Sequence, residues 1–317
     1  MQGWPGFSEG GLALGSLNTV LCGIPIDNPI IPASGTFGYG YEFAELYDIN
    51  CLGSFSFKGT TASPREGNPL PRIAESASGM LNSVGLQNPG VDHFIEKDLP
   101  WLREQDVVII ANIAGATEDD YAAIAEKVNA SEVDMVELNI SCPNVKAGGA
   151  AFGTSCAGAE QITSLVRKHC PNKPLIVKLS PNVTSISEIA RAVEAAGADS
   201  VSLINTLLGM RIDIRTRRPI LRNNKGGMSG AAVFPIAVRM VNEVYNAVKI
   251  PVIGLGGICT WQDAIEMTLA GASAIQVGTA MFTDPYAPIK IIDGMENYLA
   301  ENGIENISEL VGQVQLW

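Results

Sequence analysis

The feature that most constrains this chain is an alternation sustained from residue 30 to residue 278. Short apolar or β-branched runs recur at 30–33, 55–58, 107–112, 135–140, 175–179, 200–204, 251–255 and 274–278. Longer segments with helical spacing lie between them. In 119–129 the apolar residues Tyr121, Ile124, Ala125 and Val128 stand at i, i+3, i+4 and i+7, the spacing of one buried helix face. A helix over 187–196 begins on a Ser cap and stops at Gly197; one over 235–248 carries Pro235 in its first turn, where a missing N–H costs nothing. Thr260 is an N-cap for 261–269, and 286–301 forms the last helix. Eight strands interleaved with helices predict an α/β fold, a (β/α)8 barrel. A doubly wound open sheet shares the alternation. The barrel is favoured because no linker or composition break interrupts the chain, and because glycine signals cluster after the last two strands, where barrels build phosphate sites. The expected organisation is one catalytic domain over 17–317 behind a Gly- and Ser-rich flexible extension, 1–16.

Composition removes several functions. The 317 residues carry a formal charge of −12, with 46% hydrophobic and 17% charged residues. That is too apolar for a disordered chain, and too acidic for nucleic acid or an anionic membrane surface. No apolar run approaches the ~18 residues of a membrane span. The first basic residue is Lys58, so no positively charged targeting segment opens the chain. The six cysteines include no C-x-x-C pair, which disfavours a zinc or iron–sulfur site and leaves no metal ligand set. A reducing compartment, and hence the cytoplasm, is the expected location. Cys22, Cys51, Cys170 and Cys259 are expected as buried, inert thiols. His93, at a helix start, and His169, at a helix end, are not expected as ligands. The longest stretches without a helix or strand signal are 59–87 and 141–159, and long irregular segments in a compact domain tend to be functional.

The polar residues gather at the strand ends, which form the catalytic face of a barrel. The first strand ends in Ser34–Gly35–Thr36, the second in Lys58, the third in Asn112, and the fourth in Asn139 followed by Ser141–Cys142–Pro143–Asn144. The fifth carries Lys178, the sixth runs into Asn205–Thr206, the seventh ends in Gly256–Gly257 and the eighth in Gly278–Thr279. This set, rich in amides and lysines, suits a planar anionic heterocycle. Asn offers a donor and an acceptor together, lysine neutralises an anion or steadies charge on a ring, and the glycine pairs leave N–H groups open to a phosphate. Cys142 is the one plausible base or nucleophile, provided that its surroundings stabilise the thiolate. Cys156, in the same irregular stretch, is either a plain loop residue or a second thiol near the mouth.

Ordered motifs carry a resemblance over about residues 17–310: Asn28–Pro29 with Ala33–Ser34–Gly35–Thr36–Phe37–Gly38, Arg65–Glu66–Gly67–Asn68–Pro69, Asn82 through Gly90, Glu137–Leu138–Asn139–Ile140–Ser141–Cys142–Pro143–Asn144, Gly226–Gly227–Met228–Ser229–Gly230, and Gly254–Leu255–Gly256–Gly257–Ile258. In these the chain resembles the class 1 dihydroorotate dehydrogenases, soluble flavoproteins of pyrimidine synthesis, and within them the type B catalytic subunit. The resemblance implies one FMN per chain, with FAD and a [2Fe–2S] cluster only on a partner subunit that passes electrons to NAD+. It also implies a homodimer of this chain bound to two such partners, a heterotetramer. Cys142 would take the C5 proton of dihydroorotate while hydride leaves C6 for the flavin. Asn82, Ser83, Val84, Gly85 and Leu86 would contact the pyrimidine, together with Asn139, Asn144, Asn205 and Thr206. Lys58 would lie between flavin and substrate. Ser34, Gly59, Asn112, Asn139, Lys178, Ile204 and Gly230 would contact FMN, and Gly256, Gly257, Gly278 and Thr279 would hold its phosphate. The segment 142–157 would act as a lid that excludes water; its Ser155–Cys156–Ala157 departs from the family pattern. The alternatives at this stage are a stand-alone, type A-like enzyme that reduces fumarate and a degenerate FMN barrel that only binds. A hydroxy-acid oxidase lacks the histidine it would need.

Overall fold

The computed structural model describes residues 15–140 and 152–317. Eight parallel strands form its central sheet: β1 (Ile30–Pro32), β2 (Ser54–Ser56), β3 (Val108–Ile113), β4 (Met135–Asn139), β5 (Leu175–Lys178), β6 (Ser200–Leu203), β7 (Val252–Leu255) and β8 (Ala274–Val277). They pair in sequence order from β2 to β7, β7 pairs with β8, and β8 pairs with β1. This is the (β/α)8 barrel, with all eight strands where the apolar runs placed them. The seam between β1 and β2 is bridged by a side chain. Asn28, 5% exposed, donates from Nδ2 to the Cys51 carbonyl at 2.9 Å and accepts from the Gly53 N–H at 3.3 Å. The backbones come so close here that a Cβ on Gly53 would lie 1.8 Å from the Asn28 carbonyl oxygen.

Strand periodicity sorts the side chains into two shells. In β4, Val136 and Leu138 point outward into the helix-facing core, while Met135, Glu137 and Asn139 point into the barrel. The inward positions are layered. At the N-terminal end Ile31, Ile110, Met135, Ile176, Ile253 and Ala274 form an apolar plug, closed from below by Leu21 and Ile26 of the hairpin Thr19–Leu21/Ile24–Ile26. One pleat further along, the layer is polar on six strands, with Ser56, Asn112, Glu137, Lys178, Ser202 and Gln276, and apolar on β1 and β7, with Ala33 and Leu255; above it lies open space.

The helices form where local chemistry starts them. Thr117 and Asp120 make a reciprocal capping box for Glu118–Ala130, and Thr260 and Asp263 make another for Trp261–Leu269. The first buries Tyr121, Ile124, Ala125 and Val128, the four residues of the helical pattern. Ile186–Ala195 is capped by Ser185, two residues before the expected Ser, because the Ser185 hydroxyl accepts from the Glu188 N–H. Phe234–Tyr245 carries its proline in the first turn.

Three expectations are corrected. The 59–87 stretch is not irregular throughout: Ile73–Ser76 and Gly79–Asn82 form a hairpin within a four-stranded sheet completed by Leu207–Gly209 and Gly226–Ser229. Its outer strand is half exposed, so no continuous apolar run announces it. The end of the expected 141–159 loop is helical, since Cys156–His169 starts at Cys156 with the Ser155 hydroxyl accepting from the Gly158 N–H. Cys156 therefore opens a helix, and it is exposed. Of the thiols expected to be buried, Cys170 is; Cys22 is half-buried, and Cys51 and Cys259 are exposed. Ser16, at the end of the expected extension, is hydrogen bonded to the body through the Glu305 carbonyl. Among the described residues no helix is long and apolar enough to cross a membrane.

Closure at the Asn28 seam has a direct test. Replacing Gly53→Ala puts a methyl group onto a carbonyl oxygen that belongs to the backbone and cannot rotate away. Thermal unfolding of this variant is expected to show a loss of about 3 kcal/mol or more, whereas alanine at exposed Gly23→Ala, where a Cβ meets nothing, costs only the strain of its left-handed backbone.

Candidate active site

A cavity opens at the C-terminal ends of the strands, and every one of the eight contributes to it. β1 leads to Ser34 and Thr36, β2 to Lys58 and Gly59, β3 ends with Asn112, β4 with Asn139 and β5 with Lys178. β6 leads to Ile204, Asn205 and Thr206, β7 to Gly256 and Gly257, and β8 supplies Gln276, Gly278 and Thr279. The small antiparallel sheet roofs one side with Met80, Asn82, Met228 and Ser229, continued by Val84, Gly85, Leu86 and Gly230. Thus the segments that seemed irregular or merely glycine-rich in sequence converge over the barrel mouth.

Nearly all the residues expected at a site line this one cavity. Ser83 does not: its side chain is fully buried, flanked by Asn82 and Val84, which both reach the cavity. The alternation of an extended segment turns the Ser83 side chain away from the cavity, between two residues that line it. Cys142 and Asn144 lie outside the described residues. Sequence reasoning missed Gln276, Ser229 and Met80 as lining residues, and also Cys259, which is not the buried thiol expected; partial desolvation and the Asp263 carboxylate push its thiol upward. The largest omission is Glu137, beneath the cavity. The available signal was a charged residue in an otherwise apolar strand, and for Gln276 an amide in a similar one.

The floor is a polar layer built around the Glu137 carboxylate, 0% exposed. Oε2 accepts from Ser56 Oγ at 3.0 Å and Asn112 Nδ2 at 2.5 Å; Oε1 accepts from Ser202 Oγ at 2.8 Å and Gln276 Nε2 at 2.6 Å. Lys178 Nζ stands 3.8 Å from Oε2 and donates to Gln276 Oε1 at 3.1 Å. Burial pushes the Glu137 carboxyl up, but Lys178 and the donors from Gln276, Ser202 and Asn112 outweigh it and hold the group below the ordinary carboxylate value. Glu137 is therefore an ionised, fully solvated-by-protein anion.

Several groups facing the cavity are left unclaimed. Lys58 has no carboxylate within 4 Å among the described residues; its burial, and then Arg72, hold its ammonium below the ordinary lysine value. Asn112 Oδ1 is buried without a hydrogen-bond partner. Gly256 and Gly257 both have positive φ, 123° and 78°, and a Cβ on Gly257 would lie 2.7 Å from the Phe234 backbone nitrogen. Among the described residues, the N–H groups of Gly257, Gly278 and Thr279 donate to no backbone carbonyl. A cation, a buried acceptor and a set of free backbone donors are what a phosphorylated planar heterocycle would satisfy, so the residues present fit such a group.

Comparison with known proteins accords with that chemistry. The family model described as dihydroorotate dehydrogenase matches residues 16–299. Three similar proteins are each named dihydroorotate dehydrogenase B (NAD(+)), catalytic subunit. The protein from Alkaliphilus oremlandii is 54% identical over 294 residues, 93% of this chain and 97% of that protein. That of Parabacteroides distasonis is 53% identical over 304 residues, 96% and 99% of the two chains. That of Bacteroides thetaiotaomicron is 56% identical over 294 residues, 92% and 97%. With the match extending over almost the whole barrel, this chain belongs to the dihydroorotate dehydrogenase family.

Proposed function

We propose that this chain oxidises (S)-dihydroorotate to orotate in pyrimidine biosynthesis, as the FMN-holding catalytic subunit of an NAD+-linked enzyme. The observation that carries this reading is the convergence of all eight strand ends on one cavity that holds, among the described residues, the Lys58 cation without a carboxylate beside it, the unpartnered Asn112 Oδ1 and backbone N–H groups without a carbonyl partner, in a chain matched over nearly its full length by catalytic subunits of that name.

The roles are those the family resemblance implies, and the geometry of the cavity supports them. The Gly256–Gly257 and Gly278–Thr279 backbones would hold the FMN phosphate. Ser34, Gly59, Asn112, Asn139, Lys178, Ile204 and Gly230 would surround its ring system. When bound, FMN supplies the acceptor for the hydride that leaves C6 of the substrate. The roofing segment Asn82, Ser83, Val84, Gly85 and Leu86, and the strand-end amides Asn139 and Asn205 with Thr206, would read the pyrimidine edges. Asn205 Nδ2 already donates to Asn139 Oδ1 at 3.4 Å, so the two amides are oriented as a pair. Lys58 would face the negative charge of the substrate or cofactor. Cys142, three residues beyond the end of β4, would remove the C5 proton, and Asn144 would assist in binding. Removing a proton α to a carbonyl needs a positioned base, and a strand-end loop on the catalytic face is where a barrel carries one. An electron-transfer subunit bearing FAD and a [2Fe–2S] cluster would relay electrons to NAD+, in a heterotetramer built on a homodimer of this chain. Cytoplasmic location follows from the pathway.

Anaerobic mixing of the FMN-loaded chain with dihydroorotate should bleach the flavin absorbance, and lactate should leave it unchanged; an oxidised flavin after dihydroorotate addition would overturn the assignment. The Cys142→Ala variant should retain FMN and bleach about 10²–10⁴ times more slowly, the contribution typical of a general base. Reduction at the wild-type rate would remove Cys142 from the reaction.

A second expectation concerns Lys58. Its ammonium is held below the ordinary lysine value in the ligand-free cavity. An anion bound beside it favours the charged form, so its pKa rises on binding and a proton is taken up wherever the pH exceeds the ligand-free value. Orotate affinity should therefore fall as pH rises through that lowered value, with proton uptake visible by calorimetry in buffers of different ionisation enthalpy. In Lys58→Met the pH dependence should flatten and binding should weaken by about 1.5–3 kcal/mol, the worth of a charge-assisted hydrogen bond.

A further inference from the structure

The cavity holds two buried or half-buried lysines, but the described residues place only one carboxylate beneath it, and that carboxylate is shared by six strands. Glu137 of β4 meets Ser56 of β2, Asn112 of β3, Lys178 of β5, Ser202 of β6 and Gln276 of β8. It touches no open space itself. Every contact is one in which Glu137 accepts, so its four hydrogen bonds fill both oxygens and each one orients a partner. Asn112 must present Nδ2 downward, which turns its unpartnered Oδ1 away from the carboxylate; Asn112 lines the cavity. Gln276 must present Nε2 to Glu137, which leaves Oε1 to accept from Lys178. Lys178 Nζ thereby faces one carboxylate and one amide oxygen, while Lys58 has no such partner among the described residues.

We propose that Glu137 is a positioning residue for the flavin: from beneath the cavity floor it pairs the Lys178 cation and fixes the Asn112 amide, and so sets how readily the bound FMN accepts electrons. This rests on the reading of the cavity as an FMN site. The physical basis is electrostatic. A flavin gains negative charge on reduction, and a fixed carboxylate shielded from water opposes that gain, whereas an adjacent unpaired lysine favours it. Glu137 balances Lys178, so this pair adds close to zero net charge at the cavity floor, and a reduced flavin bound in the cavity would not be held so firmly that electrons could not leave for the next carrier. A merely structural role, joining six strands through one hydrogen-bonded anion, would be felt in stability and not in the electron affinity of the cofactor.

The test is the midpoint potential of FMN in the full chain, measured by equilibration with reference dyes at one fixed pH for all variants. In Glu137→Gln, loss of the negative charge should raise the reduced-to-oxidised ratio at a fixed potential about tenfold, equivalent to about +30 mV for a two-electron couple. Lys178→Met should move it in the opposite direction by a similar factor, and the double variant should return to within about threefold of wild type. Should Glu137→Gln fail to fold, Lys178→Met decides alone: a tenfold fall supports the proposal and an unchanged ratio overturns it. Unchanged potentials in FMN-loaded variants, or shifts of the same sign in both single variants, would reduce Glu137 to a structural tie. A wild-type chain that takes up no FMN would instead remove the functional reading on which this inference stands, and the inference with it.

Discussion

A carboxylate inside a barrel of this kind has to be matched by donors from several strands at once, because burying an unpaired charge is far more costly than burying an apolar side chain of equal volume. Glu137 meets that demand with partners on five other strands. Its presence divides the interior. Below it the inward positions are Ile31, Ile110, Met135, Ile176, Ile253 and Ala274; at its own level its partners are serine, asparagine, lysine and glutamine; above it the side chains stop and the cavity begins. The position of the cavity along the barrel axis is thus a consequence of where the polar layer ends, and the polar layer is held in register by the pairing of β4 with β3 and β5.

The same register explains why the chemistry collects at one end. In a parallel barrel all strands arrive at the catalytic face with their C-terminal ends, so one polar residue per strand becomes a ring of polar residues around a single opening. The loops then differ in what they add. The β7 and β8 loops contribute glycines whose backbone donors are left free, while the β2 and β6 loops supply strands of a second sheet that roofs the cavity. Gly227 shows how tightly the roof is seated, since a Cβ there would overlap the Thr206 hydroxyl at 1.9 Å. Asn82 is paired in register with Gly227, so the Gly79–Asn82 segment and the Gly-Met-Ser-Gly segment are two strands of one ladder.

The eight barrel strands were readable because each is buried on both faces and so is apolar along most of its length, with small serines beside the apolar residues of Ser54–Ser56 and Ser200–Leu203, and most of the large helices because they bury one face at helical spacing. The roof escaped for the opposite reason. Ile73–Ser76 alternates exposed and half-buried residues, and Gly226–Ser229 reads as a glycine-rich turn. Ile73–Ser76 is the edge strand of a local hairpin with Gly79–Asn82, and that hairpin is tied into a sheet only because Gly79–Asn82 pairs with Gly226–Ser229, a segment distant in sequence. Cys156–His169 was only partly visible, since its small first-turn residues and Ser cap resemble the loop before them. Among the site residues, those at strand ends stood out as polar breaks in apolar runs. That the Ser83 side chain turns away while Asn82 and Val84 reach the cavity was not legible, because a contiguous motif does not tell which of its side chains turn inward.

What the sequence by itself determined is the strand and helix order, the barrel, and the polar residue that closes each strand, because burial and periodicity are local properties written into residue type. What only the tertiary structure decided is which of those residues share a hydrogen bond. Glu137 in an apolar strand could have been any buried acid; that it faces Lys178, Asn112, Ser56, Ser202 and Gln276 depends on the stagger of neighbouring strands, which brings residues as far as 139 positions apart to within 2.6 Å. Residue type states that a charge must be satisfied, and the closure of the sheet selects the groups that satisfy it.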